Sequence, residues 1–111
     1  MATERPYFAQ QGVASFYGKA NQGKRTAGGE YFDRTDLTAA HRSLAFGTVV
    51  RVTNLRNGMM VKVRINDRGP HVKNRVIDLS SAAAGTLGVT GGLAQVRVEA
   101  FVSDQPGHRA D

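Results

Sequence analysis

The residue best placed by type and setting to do chemistry is Asp67, in Asn66-Asp67-Arg68-Gly69-Pro70. It stands one step past a strongly alternating run, and a Gly-Pro turn follows it. Strand ends and the loops after them are where folds display reactive groups. An Asp there equally bonds to its own turn, and pattern alone favours that reading. Glu30 follows Thr26-Ala27-Gly28-Gly29. Paired glycines allow a backbone to approach a ligand closely, which suits a carboxylate lining a cleft, although a plain surface loop reads the same way. His41 follows Leu37-Thr38-Ala39-Ala40. A histidine in that setting is ordinarily a half-buried, hydrogen-bonded side chain; its other roles are general acid or base, or orienter of a carboxylate. Asp78, just before Leu79-Ser80, suits the N-terminus of a helix, where a carboxylate interacts well with free N–H groups. His71 sits in a loop beside the Asp67 turn, and His108 in a polar tail.

Other chemistries lack their signatures. No histidine pair has metal-ligand spacing, so neither a metal nor any other cofactor is expected. Cysteine is absent, which removes thiol nucleophiles and thiolate metal sites. No serine stands in a GxSxG setting, and no glycine cluster has the strand–GxGxxG–helix order of a nucleotide loop.

These groups need strands to hold them. Met59, Val61, Val63 and Ile65 alternate with Met60, Lys62, Arg64 and Asn66, the period of a half-buried strand. The β-branched run Thr48–Leu55 predicts a second strand. Arg56-Asn57-Gly58 between them is a hairpin signal, because Asn and Gly both tolerate positive φ. Leu93–Phe101 alternates again, and Val13–Tyr17 and Arg75–Leu79 are shorter strand candidates. Ser80, an alanine run and Gly88 predict one short helix with a Ser N-cap. Val50-Arg51-Val52-Thr53-Asn54 weakly echoes Val63-Arg64-Ile65-Asn66-Asp67, a hint of a pseudo-twofold barrel. The expectation is an all-β fold, mainly strands with one or two short helices, closed into a small barrel. Residues 1–11 read as a loose N-terminal segment, 12–102 as the barrel domain and 103–111 as a loose polar tail.

The chain's 111 residues fit one domain. A net charge of +6, from 15 Lys and Arg against 9 Asp and Glu, favours an anionic partner without naming it. The basic residues are scattered, so nucleic acid is not expected. No apolar run approaches the roughly 20 residues needed to span a bilayer, and the start of the chain has no apolar export signal.

Six segments in order resemble one family. They are Gly12-Val13-Ala14-Ser15-Phe16-Tyr17-Gly18, Arg25-Thr26-Ala27-Gly28-Gly29-Glu30, Leu37-Thr38-Ala39-Ala40-His41, Val50-Arg51-Val52-Thr53-Asn54-Leu55, Asn66-Asp67-Arg68-Gly69-Pro70 and Val76-Ile77-Asp78-Leu79-Ser80. Together they resemble the rare lipoprotein A family of bacterial septal-ring lytic transglycosylases. That resemblance implies a six-stranded double-psi β-barrel. It also implies endolytic cleavage between N-acetylmuramic acid and N-acetylglucosamine in peptidoglycan strands stripped of stem peptides, leaving 1,6-anhydro ends. Its functional positions fall on Glu30, His41 and Asp67, with Tyr17, Asn66 and Arg68 as candidate glycan contacts. The acid, placed on Asp67, must carry a proton, so Arg68 is expected to point away from it or to bind substrate. A non-catalytic, expansin-like glycan-binding module is the alternative. The resemblance further implies a periplasmic, outer-membrane-associated protein of the cell envelope. The lipobox cysteine and the sporulation-related repeat of full-length members are not in this chain, so a trimmed, monomeric catalytic domain is expected, with membrane contact only through an anchor it lacks.

Overall fold

The computed structural model describes residues 4–17, 19–89 and 91–109. Six strands close into a barrel: β1 (Phe8–Phe16), β2 (Thr38–Ala40), β3 (Val49–Asn54), β4 (Met60–Asp67), β5 (Arg75–Leu79) and β6 (Leu93–Ala100). Around the barrel the order is β1-β5-β2-β4-β3-β6. Two neighbouring pairs, β1 with β5 and β2 with β4, are parallel; the others are antiparallel. This is the double-psi barrel that the resemblance implies. Closure leaves the six barrel strands without an open edge among the described residues.

The alternation read from the sequence is what fills the barrel. Val61, Val63 and Ile65 of β4 point inward, as do Val50 and Val52 of β3 and Val96, Val98 and Ala100 of β6. Each of these residues is almost wholly removed from water. Helix α1 (Ser81–Thr86) sends Ala83 inward, and Leu87, its C-cap, follows. The Ser80 hydroxyl caps the helix by accepting from the Ala83 N–H.

Several local expectations need correction. Residues 1–11 are not all loose: β1 begins at Phe8, and Tyr7 N–H already donates to the Ala100 carbonyl at 2.9 Å. Gln10 and Gln11 read as aperiodic because both are polar, although only Gln11 points to solvent while Gln10 meets the buried His41, and their backbones pair with Val98 and Arg97. Nor is 103–111 loose throughout. Val102–Asp104 forms a 3-10 turn, the Asp104 carboxylate takes Arg51 at 2.7 Å and Lys62 at 2.9 Å, and the Gln105 amide clasps both backbone groups of Val49. The first three and last two residues of those segments lie outside the described residues. The hairpin between β3 and β4 is a longer loop than Asn-Gly suggests. Asn54 and Met59 close it, only Gly58 has positive φ (+76°), and Asn57 serves through its side chain, accepting from Met59 N–H.

The echo between Val50–Asn54 and Val63–Asp67 is not the barrel's symmetry. Advancing each strand by three reproduces the strand order, so β3 corresponds to β6 and β4 to β1. Strands β3 and β4 are instead antiparallel neighbours.

Strand β2 had no counterpart in the sequence reading. Thr38-Ala39-Ala40 is too short to alternate visibly, and all three residues are buried. Its position between β5 and β4 decides the site.

Candidate active site

Ala40 is the pivot. It pairs with Asp67 on the parallel strand β4 and with Asp78 on the antiparallel strand β5. Residues paired across strands project from the same face of a sheet, and strands lie about 4.8 Å apart, so the two aspartate Cα atoms stand roughly 10 Å apart with Ala40 between them. Ala39, Ile65 and Ile77 fill the barrel interior; the register shift between Ala39 and Ala40 takes Asp67, two residues past Ile65, out of that alternation, so that Ala40, Asp67 and Asp78 line one cavity. The methyl of Ala40 is small enough to leave a hollow. A cavity of about 190 Å³ opens there, walled by Tyr17, Asn21, Asp67, Arg68, His71 and Asp78.

Each wall residue is fixed by a different part of the chain. The Asp67 Oδ1 accepts from the Ala27 and Arg68 N–H groups, both at 2.9 Å; among the described residues nothing bonds Oδ2. The loop bearing Ala27 lies on β4 because Gly28 N–H donates to the Asn66 carbonyl at 3.0 Å. A Cβ on Gly28 would stand 2.5 Å from that carbonyl oxygen, so only glycine fits. The close approach that the paired glycines suggested is therefore to strand β4. The Asp78 carboxylate is held by the Ser15 hydroxyl of β1. Gly69 faces Asp78 Oδ2 and His71 Nε2, which lie 3.6 and 3.7 Å from where its Cβ would be. Arg42 latches the same turn, donating to the Pro70 and Val72 carbonyls, each at 2.8 Å.

Tyr17 stacks on Phe32 with ring centroids 4.6 Å apart, and its hydroxyl is enclosed without a partner among the described residues. Burial, followed by the charges of Asp67 and Asp78, holds its phenol well above the ordinary range. It therefore remains an O–H donor beside two carboxyls. Of the buried side-chain groups left without a partner among the described residues (Tyr17, Thr26, Thr38 and Asn66), Tyr17 is the one that lines the cavity, where an incoming acceptor could reach it.

The structure does not gather all the expected site residues here. Glu30 is exposed and salt-bridged to Arg64; it lines no part of the cavity. His41 is 3% exposed, and both ring nitrogens are occupied. Its Nδ1 accepts from the Ser43 and Leu44 N–H groups at 3.1 and 3.2 Å, so Nε2 is the donor to Gln10 Oε1 at 2.9 Å. Burial, with Arg68 and Arg42 nearby, pushes its pKa down and keeps it neutral. Asn66 is buried and does not reach the cavity. Arg68 does line it, but its guanidinium turns to the Leu44 carbonyl at 2.8 Å and stacks over the Phe46 ring at 3.8 Å. No Arg68–Asp67 side-chain ion pair forms among the described residues.

Asp78 and His71 are the cavity residues that the sequence reading left in structural or peripheral roles. Asp78 does not serve helix α1, since Ser80 provides its cap. Its partner Ser15 is 63 residues away, so no local pattern could have revealed it. A larger cavity of about 480 Å³ lies near Asn54, Arg56, Val89, Leu93 and Gln95. Among the described residues it presents no carboxyl or imidazole, so size alone does not make it the reactive site.

Comparison with known proteins adds three likenesses. A Nostoc protein named as a probable endolytic peptidoglycan transglycosylase RlpA is 61% identical over 92 residues, covering 80% of this chain and 25% of that protein. The Pasteurella multocida endolytic peptidoglycan transglycosylase RlpA is 50% identical over 101 residues, 90% of this chain and 34% of that protein. The chain thus spans about a quarter to a third of the relatives' length. In fold it is similar to the apo expansin of Clavibacter michiganensis, with a TM-score of 0.68, 24% identity, and coverage of 90% of this chain and 53% of that one. A family model described as lytic transglycolase matches residues 9–98, nearly the whole barrel. With the barrel topology and a two-carboxyl cavity beneath that match, the chain belongs to the lytic transglycolase family.

Proposed function

We propose that this chain is an endolytic peptidoglycan lytic transglycosylase. It cleaves between N-acetylmuramic acid and N-acetylglucosamine in strands without stem peptides and leaves 1,6-anhydro-muramic ends. The observation that carries the reading is the pair Asp67 and Asp78, set on either side of Ala40 in one cavity with an unpartnered Tyr17 hydroxyl.

The chemistry needs one proton to travel out and back. Asp67 donates its proton to the leaving O4 as the C1–O4 bond breaks and oxocarbenium character grows at C1. The substrate's own C6 oxygen attacks C1, forming the anhydro bridge. The C6 hydroxyl proton returns to the Asp67 carboxylate, so no water is consumed and the carboxyl is regenerated. Asp78, held by Ser15, supplies the negative charge opposite the developing cation. Tyr17 donates to a sugar oxygen, and Arg68, docked through Nη1 with no bond to Nη2 or Nε among the described residues, meets the lactyl carboxylate.

Glu30 and His41 then act by positioning. The Glu30–Arg64 pair ties the 26–30 loop to β4, which aims Ala27 N–H at Asp67. His41 shapes residues 41–44, whose carbonyls dock Arg68. The reading also includes a cell-envelope location, a monomeric domain and, within a longer protein, a lipid anchor to the outer membrane.

The test is to digest denuded and peptide-bearing strands and weigh the products. Anhydro ends from denuded strands that vanish in Asp67→Asn support the proposal. Ordinary reducing ends would make the chain a hydrolase. Sacculus binding that persists in Asp67→Asn, with no fragments from the unaltered chain, would make it an expansin-like binding module.

A further inference from the structure

Beside the cavity stands an exposed aromatic that is held on several sides. Phe46, between β2 and β3, is 43% exposed. The Arg68 guanidinium covers one face of its ring at 3.8 Å. That guanidinium is itself docked, donating to the Leu44 carbonyl at 2.8 Å and the His41 carbonyl at 3.3 Å. The 26–30 backbone abuts the ring edge, since a Cβ on Gly28 would lie 3.2 Å from Phe46 Cδ1. The next residue is pinned to β4 by Gly47 N–H donating to the Ile65 carbonyl at 2.8 Å.

A lone exposed phenylalanine needs no explanation. This one is clamped by a cavity-lining arginine and by the same loop that orients Asp67. Its ordering is therefore completed before any ligand arrives, which is the condition for a preorganised contact. Phe46 stays 43% exposed with Arg68 over its ring, and Arg68 also lines the cavity. Aromatic faces are electron-rich and attract the C–H face of a pyranose, whose hydroxyls lie around its edge. Arg68 beside the ring offers cationic N–H groups, matching a ligand that is apolar on one face and bears a carboxylate at its edge.

We infer that Phe46 is a stacking platform for a sugar ring of the glycan strand adjacent to the cleaved bond, with Arg68 as the residue that sets its plane. This deepens the proposed function and rests on it for the identity of the strand.

Tryptophan is absent from the chain, so Phe46→Trp creates a single fluorescent reporter at the platform. Tyr7→Trp places the same reporter before β1, at the far end of that strand from Tyr17. Both are made in an Asp67→Asn background and titrated with denuded peptidoglycan strands. A saturating emission change in the Phe46→Trp chain, with none in the Tyr7→Trp chain, is expected. In the active chain, Phe46→Ala should raise KM about tenfold and leave kcat within about twofold, and Phe46→Tyr should restore KM. A flat Phe46→Trp titration while the same chain still sediments with the strands overturns the platform and leaves the proposed function standing. So does a loss confined to kcat. If no chain sediments with the strands and the active chain releases no anhydro ends, the function falls and the platform falls with it.

Discussion

Gly28→Ala is the sharpest perturbation of the site, because the glycine is required for space. The new Cβ would stand 2.5 Å from the Asn66 carbonyl oxygen and 3.2 Å from its carbon. Backbone cannot give way as a flexible side-chain tip can, so the 26–30 loop must lift off β4. Lifting removes the Gly28–Asn66 and Ala27–Asp67 bonds, each worth about 1–1.5 kcal/mol. The expected loss is about 2–3 kcal/mol, or roughly 8–20 °C in Tm for a domain of this size. The same movement leaves the Asp67 carboxyl held by the Arg68 N–H alone, and a displacement of about 1 Å at a reacting group costs about a hundredfold in rate. Gly29→Ala is the matched control. Its φ is +92°, but a Cβ there meets only an arginine tip at 3.9 Å. It should cost about 1 kcal/mol of backbone strain and leave kcat within a few-fold. Thermal melts and product release from denuded strands measure both variants. If Gly28→Ala keeps wild-type kcat with a lowered Tm, loop contact does not orient Asp67 and the reasoning fails.

Three further outcomes follow from the geometry. Ala40→Val puts two methyls into the hollow between the carboxyls. Product release should fall about a hundredfold, and Tm should drop by several degrees as well, since Ala40 is 2% exposed and the added methyls press on its packed neighbours as they enter the cavity. His41 is buried and neutral with its pKa lowered, so the unfolded chain takes up a proton first as pH falls. Stability should be full above about pH 6.5, the unfolded imidazole range, and decline as pH falls from there toward the lower folded value. Melts between pH 7.5 and 5 should show that slope, and His41→Gln should flatten it. Asp104→Asn weakens the carboxylate contacts with Arg51 and Lys62 that anchor the segment after β6. It should lower stability by about 1–2 kcal/mol in denaturant melts, without changing kcat.

Much of the barrel is legible in the sequence because its signals are local. Alternation in Met60–Asp67 and Leu93–Ala100, β-branching in Val49–Asn54 and the Ser80 cap all act within a few residues. The double-psi class and the family follow from six motifs in order. Phe8–Gln11 escaped because a strand with mixed outer residues has no clean period, and Thr38–Ala40 because three residues cannot display one.

The composition of the site was decided elsewhere. Residue types alone nominate Glu30, His41 and Asp67 as chemical groups, and resemblance orders them into one machine. Only the pairing of β2 with both β4 and β5 brings Asp78 to face Asp67 across Ala40. Only the lie of the 26–30 loop sends Glu30 to Arg64, and only packing encloses His41. Side-chain chemistry and strand period are properties of neighbours along the chain. Which carboxyls share a cavity depends on register between parallel strands joined by long crossovers, and register is set by the closed barrel as a whole.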